Sequence, residues 1–178
     1  MNGVQTGLLI TLYAVLVSAA VMDIWKLRIS NIFPAAVILL FLLWAYSCGW
    51  GFQLWQNAIG FALTFMGGLF LFSRGWMGGG DVKLFAAMAL WFDFTGVAAL
   101  YLYTAIGGAI LSIAFILLRR MLPQRVALSA DVPSLKVRGP IPYGLAISAG
   151  AILAIVGGNA SPQPKPWYLQ PPPLVKIT

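Results

Sequence analysis

Four carboxylates are the whole acidic inventory of this chain: Asp23, Asp81, Asp93 and Asp131, with no glutamate and no histidine. That set excludes His-based triads, His metal sites and Glu-based acid–base pairs. What remains is the chemistry of two aspartates acting together, one taking a proton from water while the other protonates a carbonyl oxygen, as aspartic proteases do. Asp81 stands out by its setting, behind Gly78, Gly79 and Gly80 in the run GWMGGGDVKL. Glycines lack side chains, so this backbone is expected to reach conformations closed to other residues and to let an extended substrate strand come close. The single Cys48 has no second cysteine for a disulfide or cluster and no histidine to activate it, and it reads as packing. No metal and no organic cofactor is expected.

The elements that must position these acids are membrane helices. The chain has 178 residues, 61% hydrophobic and 8% charged, which places it in the membrane class. It divides into one domain, residues 1–158, and a proline-rich tail, 159–178, that reads as extended or disordered. Apolar stretches of spanning length lie near 4–22, 32–50, 57–73, 84–118 and 141–158. The fourth is split by Asp93-Phe94-Thr95-Gly96, a turn signal, so the fold expected is an all-α bundle of about six transmembrane helices. To cross the bilayer, the span before Asp93 must begin near Trp76, which carries Asp81 below the membrane surface. The first segment reads as a retained helix, since no positive charge precedes it as one would in a cleaved signal.

With six alternating spans, nine of the eleven lysines and arginines fall on one side, an excess that marks the cytoplasmic face and puts both termini outside. The loops at 23–31, 74–81 and 119–140 then face inward. Trp44, Trp50, Trp55 and Trp91 fall near the outer boundary, and Trp25 and Trp76 near the inner one, as interfacial anchors would. Asp23 and Asp81 come out at similar depth on the same side. A charge at membrane depth costs about 2.5–3.5 kcal/mol or more, so each marks a functional site by default. Two carboxylates brought close share a proton and act as a unit.

Plainer readings stand beside this one. Asp81 could cap a helix after a glycine-rich loop, and Asp23 could be an interfacial charge paired with Lys26. Lys83 reads as an interfacial anchor or a substrate contact, Asp93 as an outer turn residue and Asp131 as a solvated loop charge. The basic 119–140 loop reads as a topogenic segment that binds lipid headgroups, with a substrate groove as the alternative. The net charge of +7 does not point to nucleic acid, because the basic residues are not clustered with exposed aromatics on a polar face.

The same residues carry a family resemblance. Gly78-Gly79-Gly80-Asp81 matches the GxGD signature of intramembrane aspartic proteases, and GGGDVKLFAA resembles the second motif of type IV prepilin peptidases. Asp23 followed by Ile29-Ser30-Asn31 resembles that family's first motif, with Ser30 where the family has proline. Ile141-Pro142-Tyr143-Gly144 resembles its Pro-Tyr-Gly motif. The resemblance implies that Asp23 and Asp81 form a catalytic dyad, with Gly78, Gly79, Gly80, Lys83 and Asn31 shaping the approach to it. It further implies a multi-pass protein of the bacterial inner membrane that removes the basic leader of prepilins on the cytoplasmic side, in contact with pilus or secretion machinery. The bifunctional members' insert with paired cysteines is missing, so the chain resembles the short CpaA/TadV-like form of Flp/Tad pilus systems, and methylation of the new N-terminus is not implied. The rival readings are a proton-coupled transporter, in which the acids relay protons, and a non-catalytic assembly subunit.

Overall fold

Leucine, isoleucine, valine and alanine dominate the long apolar runs, and in a bilayer only a helix satisfies their backbone groups internally. The structure is a computed structural model that describes residues 3–48, 54–121 and 142–158. Trp50, Asp131, the basic loop beyond Met121 and the tail from 159 lie outside the described residues. Among the described residues six helices form: α1 (Gly3–Lys26), α2 (Ile32–Cys48), α3 (Leu54–Ser73), α4 (Gly79–Ala89), α5 (Phe94–Met121) and α6 (Tyr143–Val156). No strand occurs among the described residues. Pro34 sits in the first turn of α2, where its missing N–H takes nothing from the helix.

Three of the six, α1, α3 and α5, are long and apolar enough to cross a membrane, while α2 and α6 are apolar but shorter. The largest departure from expectation is α4, which starts at Gly79 and not near Trp76. The cause is local. Gly75 adopts the left-handed conformation, φ 71°, and closes α3. The Gly75 N–H bonds the Phe72 carbonyl at 2.9 Å and the Trp76 N–H bonds the Leu71 carbonyl at 3.0 Å. Those paired bonds terminate a helix by a Schellman motif, so the chain must turn before a new helix begins. The 11 residues of α4 rise about 16 Å, roughly half of a bilayer core of about 30 Å.

So short a helix survives because other helices surround it. It packs on α3, α2 and α6, and Val82, Leu84 and Ala86 through Ala89 are buried. On α3 the covering face is made of Asn57, Gly60, Thr64 and Gly68, small or polar residues four apart or nearly so that let two backbones approach. A methyl group at Gly68 would stand 2.6 Å from Val82 Cγ1. The α5–α6 contact follows the same rule, since a Cβ at Gly150 would meet the Thr104 backbone nitrogen at 2.7 Å. Thr64 links α3 to α5 by accepting or donating a 2.7 Å bond with the Tyr101 hydroxyl.

At the end of α4 away from Asp81, Phe41, Trp44 and Trp91 pack with ring centroids 5.9–6.2 Å apart. Trp44 and Trp91 are therefore core residues, 7% and 3% exposed, and not the membrane-surface anchors expected of them. The reason is that Trp91 lies just past the short α4, where the α2 helix covers it and the Val37 carbonyl accepts its indole N–H at 3.3 Å. Trp25 and Trp76 are exposed, as is Trp55, which meets Phe94 edge to face.

Candidate active site

The described ends of α1, α4 and α6 meet on one side of the bundle, and each brings one of the sequence motifs. Asp23 lies in the last turn of α1, where the helix closes with a bond from the Leu27 N–H to the Asp23 carbonyl, 2.9 Å. Leu27 itself is left-handed, φ 50°, a conformation uncommon for a residue with a Cβ. This reverses the chain so that Ile29 turns inward and is buried.

The Asp23 side chain is 4% exposed. A carboxylate so buried needs donors, and α6 supplies them. Pro142 occupies the N-cap of α6 and makes no side-chain cap, leaving first-turn N–H groups without intrahelical partners. Asp23 Oδ2 accepts from the Gly144 N–H at 2.7 Å, and the Leu145 N–H also bonds the carboxylate. This disposes of the simple pairing with Lys26, because the carboxylate's donors come from another helix.

Asp81 arrives from α4. The N-cap there is Gly78, in extended conformation and without a side-chain cap, so Asp81 is not the cap residue the plainer reading made it. It stands three residues on and reaches back to the Gly78 backbone N–H, the geometry by which an acid at that position satisfies a helix start. Asp81 Oδ1 is buried with no hydrogen-bond partner among the described residues. Two acids from separate helices thus lie at the same end of the bundle, one held by backbone donors and the other with an acceptor open.

The glycines turn out to serve this packing by a different route from the one expected. None of Gly78, Gly79 and Gly80 has a positive φ, and Gly78 sits at φ −72°, ψ 145°, which any residue can adopt. Their value is space. A Cβ at Gly78 would lie 2.7 Å from Asp81 Oδ2, and one at Gly80 would lie 2.8 Å from the Ile29 carbonyl oxygen. Gly79 is looser, its Cβ position 3.4 Å from the Phe72 ring. Lys83 and Asn31 are joined to each other, Nζ to Oδ1 at 2.9 Å in an exposed setting, and so tie the loop after α1 to α4.

Sequence reasoning named the Pro-Tyr-Gly segment but assigned it no part in the site, and it passed over Ile29 as a packing residue. A Cβ at Gly144 would meet Ile29 Cδ1 at 2.5 Å and Asp23 Oδ2 at 2.8 Å. The available signal was a glycine in the first turn of the last helix, at the same end as both acids. Asp93, past the opposite end of α4 from Asp81, has a different role: its Oδ1 accepts from the Gly96 N–H at 2.7 Å and from Thr95 Oγ1 at 2.8 Å, capping α5. A groove of about 350 Å³ runs beside the motifs, lined by Met77, Tyr143 and the small residues Thr104, Gly108 and Ser112 of α5.

Comparison with protein families matches residues 10–113 to the type IV leader peptidase family. No curated protein and no solved structure matches the chain.

Proposed function

The chain belongs to the type IV leader peptidase family, and from that premise we propose that it is an aspartic endopeptidase whose dyad is Asp23 and Asp81. Membership brings a membrane-embedded protease and prepilins as its class of substrate. The observation that supports the dyad is the convergence of the last turn of α1 and the first turn of α4 around Ile29: Gly80 packs on the Ile29 backbone, and Ile29 packs at Gly144, whose N–H holds Asp23 Oδ2.

In this reading the pair holds a water between its carboxyls. One aspartate takes a proton from the water as its oxygen attacks the scissile carbonyl carbon, and the other gives a proton to the carbonyl oxygen. The tetrahedral intermediate then collapses with the C–N bond breaking, a proton passing to the leaving amine and the pair returning to a single shared proton. The open acceptor of Asp81 suits a group that must receive or deliver a proton during each cycle. The groove beginning at Met77 and Tyr143 offers an apolar substrate segment a path to the dyad. The substrate is a prepilin of the Flp type, cut at the cytoplasmic face of the bacterial inner membrane. Methyl transfer is not implied by this reading, since the five-residue connection between α1 and α2 carries no counterpart of the bifunctional members' paired cysteines.

The test is leader cleavage. The chain is co-expressed with a Flp-type prepilin, and the size shift and new N-terminus are read by mass spectrometry for wild type, Asp23→Asn, Asp81→Asn and Asp93→Asn. Either dyad variant should lose about a thousandfold or more in rate, while Asp93→Asn still cleaves. Cleavage by both dyad variants at equal membrane levels would remove the protease assignment of these acids and favour the proton-relay reading.

A further inference from the structure

Gly144 lies outside the matched residues 10–113 and takes no direct part in the proton transfers above. Its position is nonetheless the tightest in the site. Its N–H donates to Asp23 Oδ2 at 2.7 Å. A Cβ there would stand 2.8 Å from that same oxygen and 3.0 Å from Asp23 Cγ, as well as 2.5 Å from Ile29 Cδ1. Real Cβ contacts essentially never fall below 3.0 Å, so the carboxylate occupies the volume that any other residue would fill. A buried carboxylate 4% exposed has few other places to go.

We propose that Gly144 is a positioning residue for the reaction: its N–H, with that of Leu145, fixes the Asp23 carboxylate, and its missing side chain is the space in which that carboxylate is held. This rests on the reading of Asp23 as half of the dyad. Two carboxyls that share one water tolerate little displacement, and a shift of about 1 Å in a reacting group can cost about a hundredfold in rate. The helix α6 therefore enters the catalytic geometry through its backbone.

The experiment uses the full chain in detergent micelles with a purified Flp-type prepilin. Gly144→Ala should lower kcat by about a hundredfold with KM changed less than about twofold, since the substrate-facing groups are untouched. It should also lower Tm. Adding Ile29→Val removes the Cδ1 methyl from the collision and should restore only part of the lost Tm, and leave kcat low because the clash with Asp23 persists. Adding Asp23→Ala to Gly144→Ala should restore Tm by removing the carboxylate, so that the two substitutions are not additive. If Gly144→Ala fails to accumulate, the Asp23→Ala background must rescue its accumulation.

Recovery of kcat with Ile29→Val would overturn the proposal, because Gly144 would then only make room for Ile29. Strict additivity of the Tm effects of Asp23→Ala and Gly144→Ala, or absence of rescue, would overturn it as well. Should wild type cleave no prepilin while the Tm effects remain non-additive, the hold on Asp23 stands and the peptidase reading of this chain falls.

Discussion

Gly79 and Gly80 are adjacent, identical and both in the first turn of α4, yet their surroundings make opposite demands. The Cβ of an alanine at 80 would press on the Ile29 carbonyl at 2.8 Å and on Ile29 Cβ at 3.0 Å, and a backbone atom cannot swing aside as a long side chain can. At 79 the nearest atoms are those of the Phe72 ring at 3.4–3.8 Å, ordinary contact. Gly80→Ala should therefore destabilise the protein by about 1–3 kcal/mol, in the range of overpacked cores. Gly79→Ala should stabilise it by about 0.5 kcal/mol through the lost freedom of the unfolded chain. Thermal unfolding of the two variants in one detergent checks both signs, and equal effects would mean that the loop carrying Ile29 does not rest on Gly80. The motif was legible in the sequence, but which of its glycines carries which contact was not, because that depends on a loop fifty residues away.

At the scale of elements, α4 is short because the chain on either side of it turns. Gly75 ends α3 before it, and Asp93 starts α5 after it. The Asp93 cap is separable from the dyad, which gives a clean expectation. Asp93→Ala should cost about 1 kcal/mol of stability through the orphaned N–H groups of α5, Asp93→Ser should recover most of it, and leader cleavage should persist in both once expression is matched. Unfolding midpoints and cleavage assays on the same preparations check this, and loss of cleavage in Asp93→Ser would show that the α4–α5 turn reaches the site. Asp93 as a turn residue could be read from Asp93-Phe94-Thr95-Gly96 alone, since its partners are local. The start of α4 could not be placed that way: the third apolar stretch ends at 73 as α3 does, but the length of a span favoured beginning the next helix near Trp76, and the turn at Gly75 delays it to Gly79.

For the whole molecule, the contacts put the ends of α1, α4 and α6 together without saying which side of the membrane they face. The orientation we propose rests on charge: Lys26, Arg28, Arg74 and Lys83 lie at or beside the helix ends that meet there, and an excess of basic residues near membrane-spanning helices is retained on the cytoplasmic side. With Cys48 replaced by alanine, single cysteines at Arg28 and Arg74 should react with a membrane-impermeant maleimide only after cell lysis. Cysteines at Gly3 and Gly158 should react in intact spheroplasts. The reverse pattern would place the dyad on the outer face and exclude leader removal in the cytoplasm. A half-length α4 also has a consequence at this scale. Its buried faces are complementary to α2, α3 and α6, so it cannot insert alone as a stable span, and its place is decided when the surrounding helices assemble.

The helical class and the short inventory of acids follow from the sequence by itself, because hydropathy and residue inventory act locally or additively along the chain. The membrane demands helices whatever their partners, and a chain with four aspartates offers few dyads. What only the tertiary structure decided depends on surfaces meeting across long separations. The burial of Trp44 and Trp91, the start of α4 at Gly79, the contact of Gly80 with Ile29 and the hold of Gly144 on Asp23 all belong to this kind. Each is set by the volume left between packed helices, to a few tenths of an ångström, and no spacing along a single chain encodes that volume.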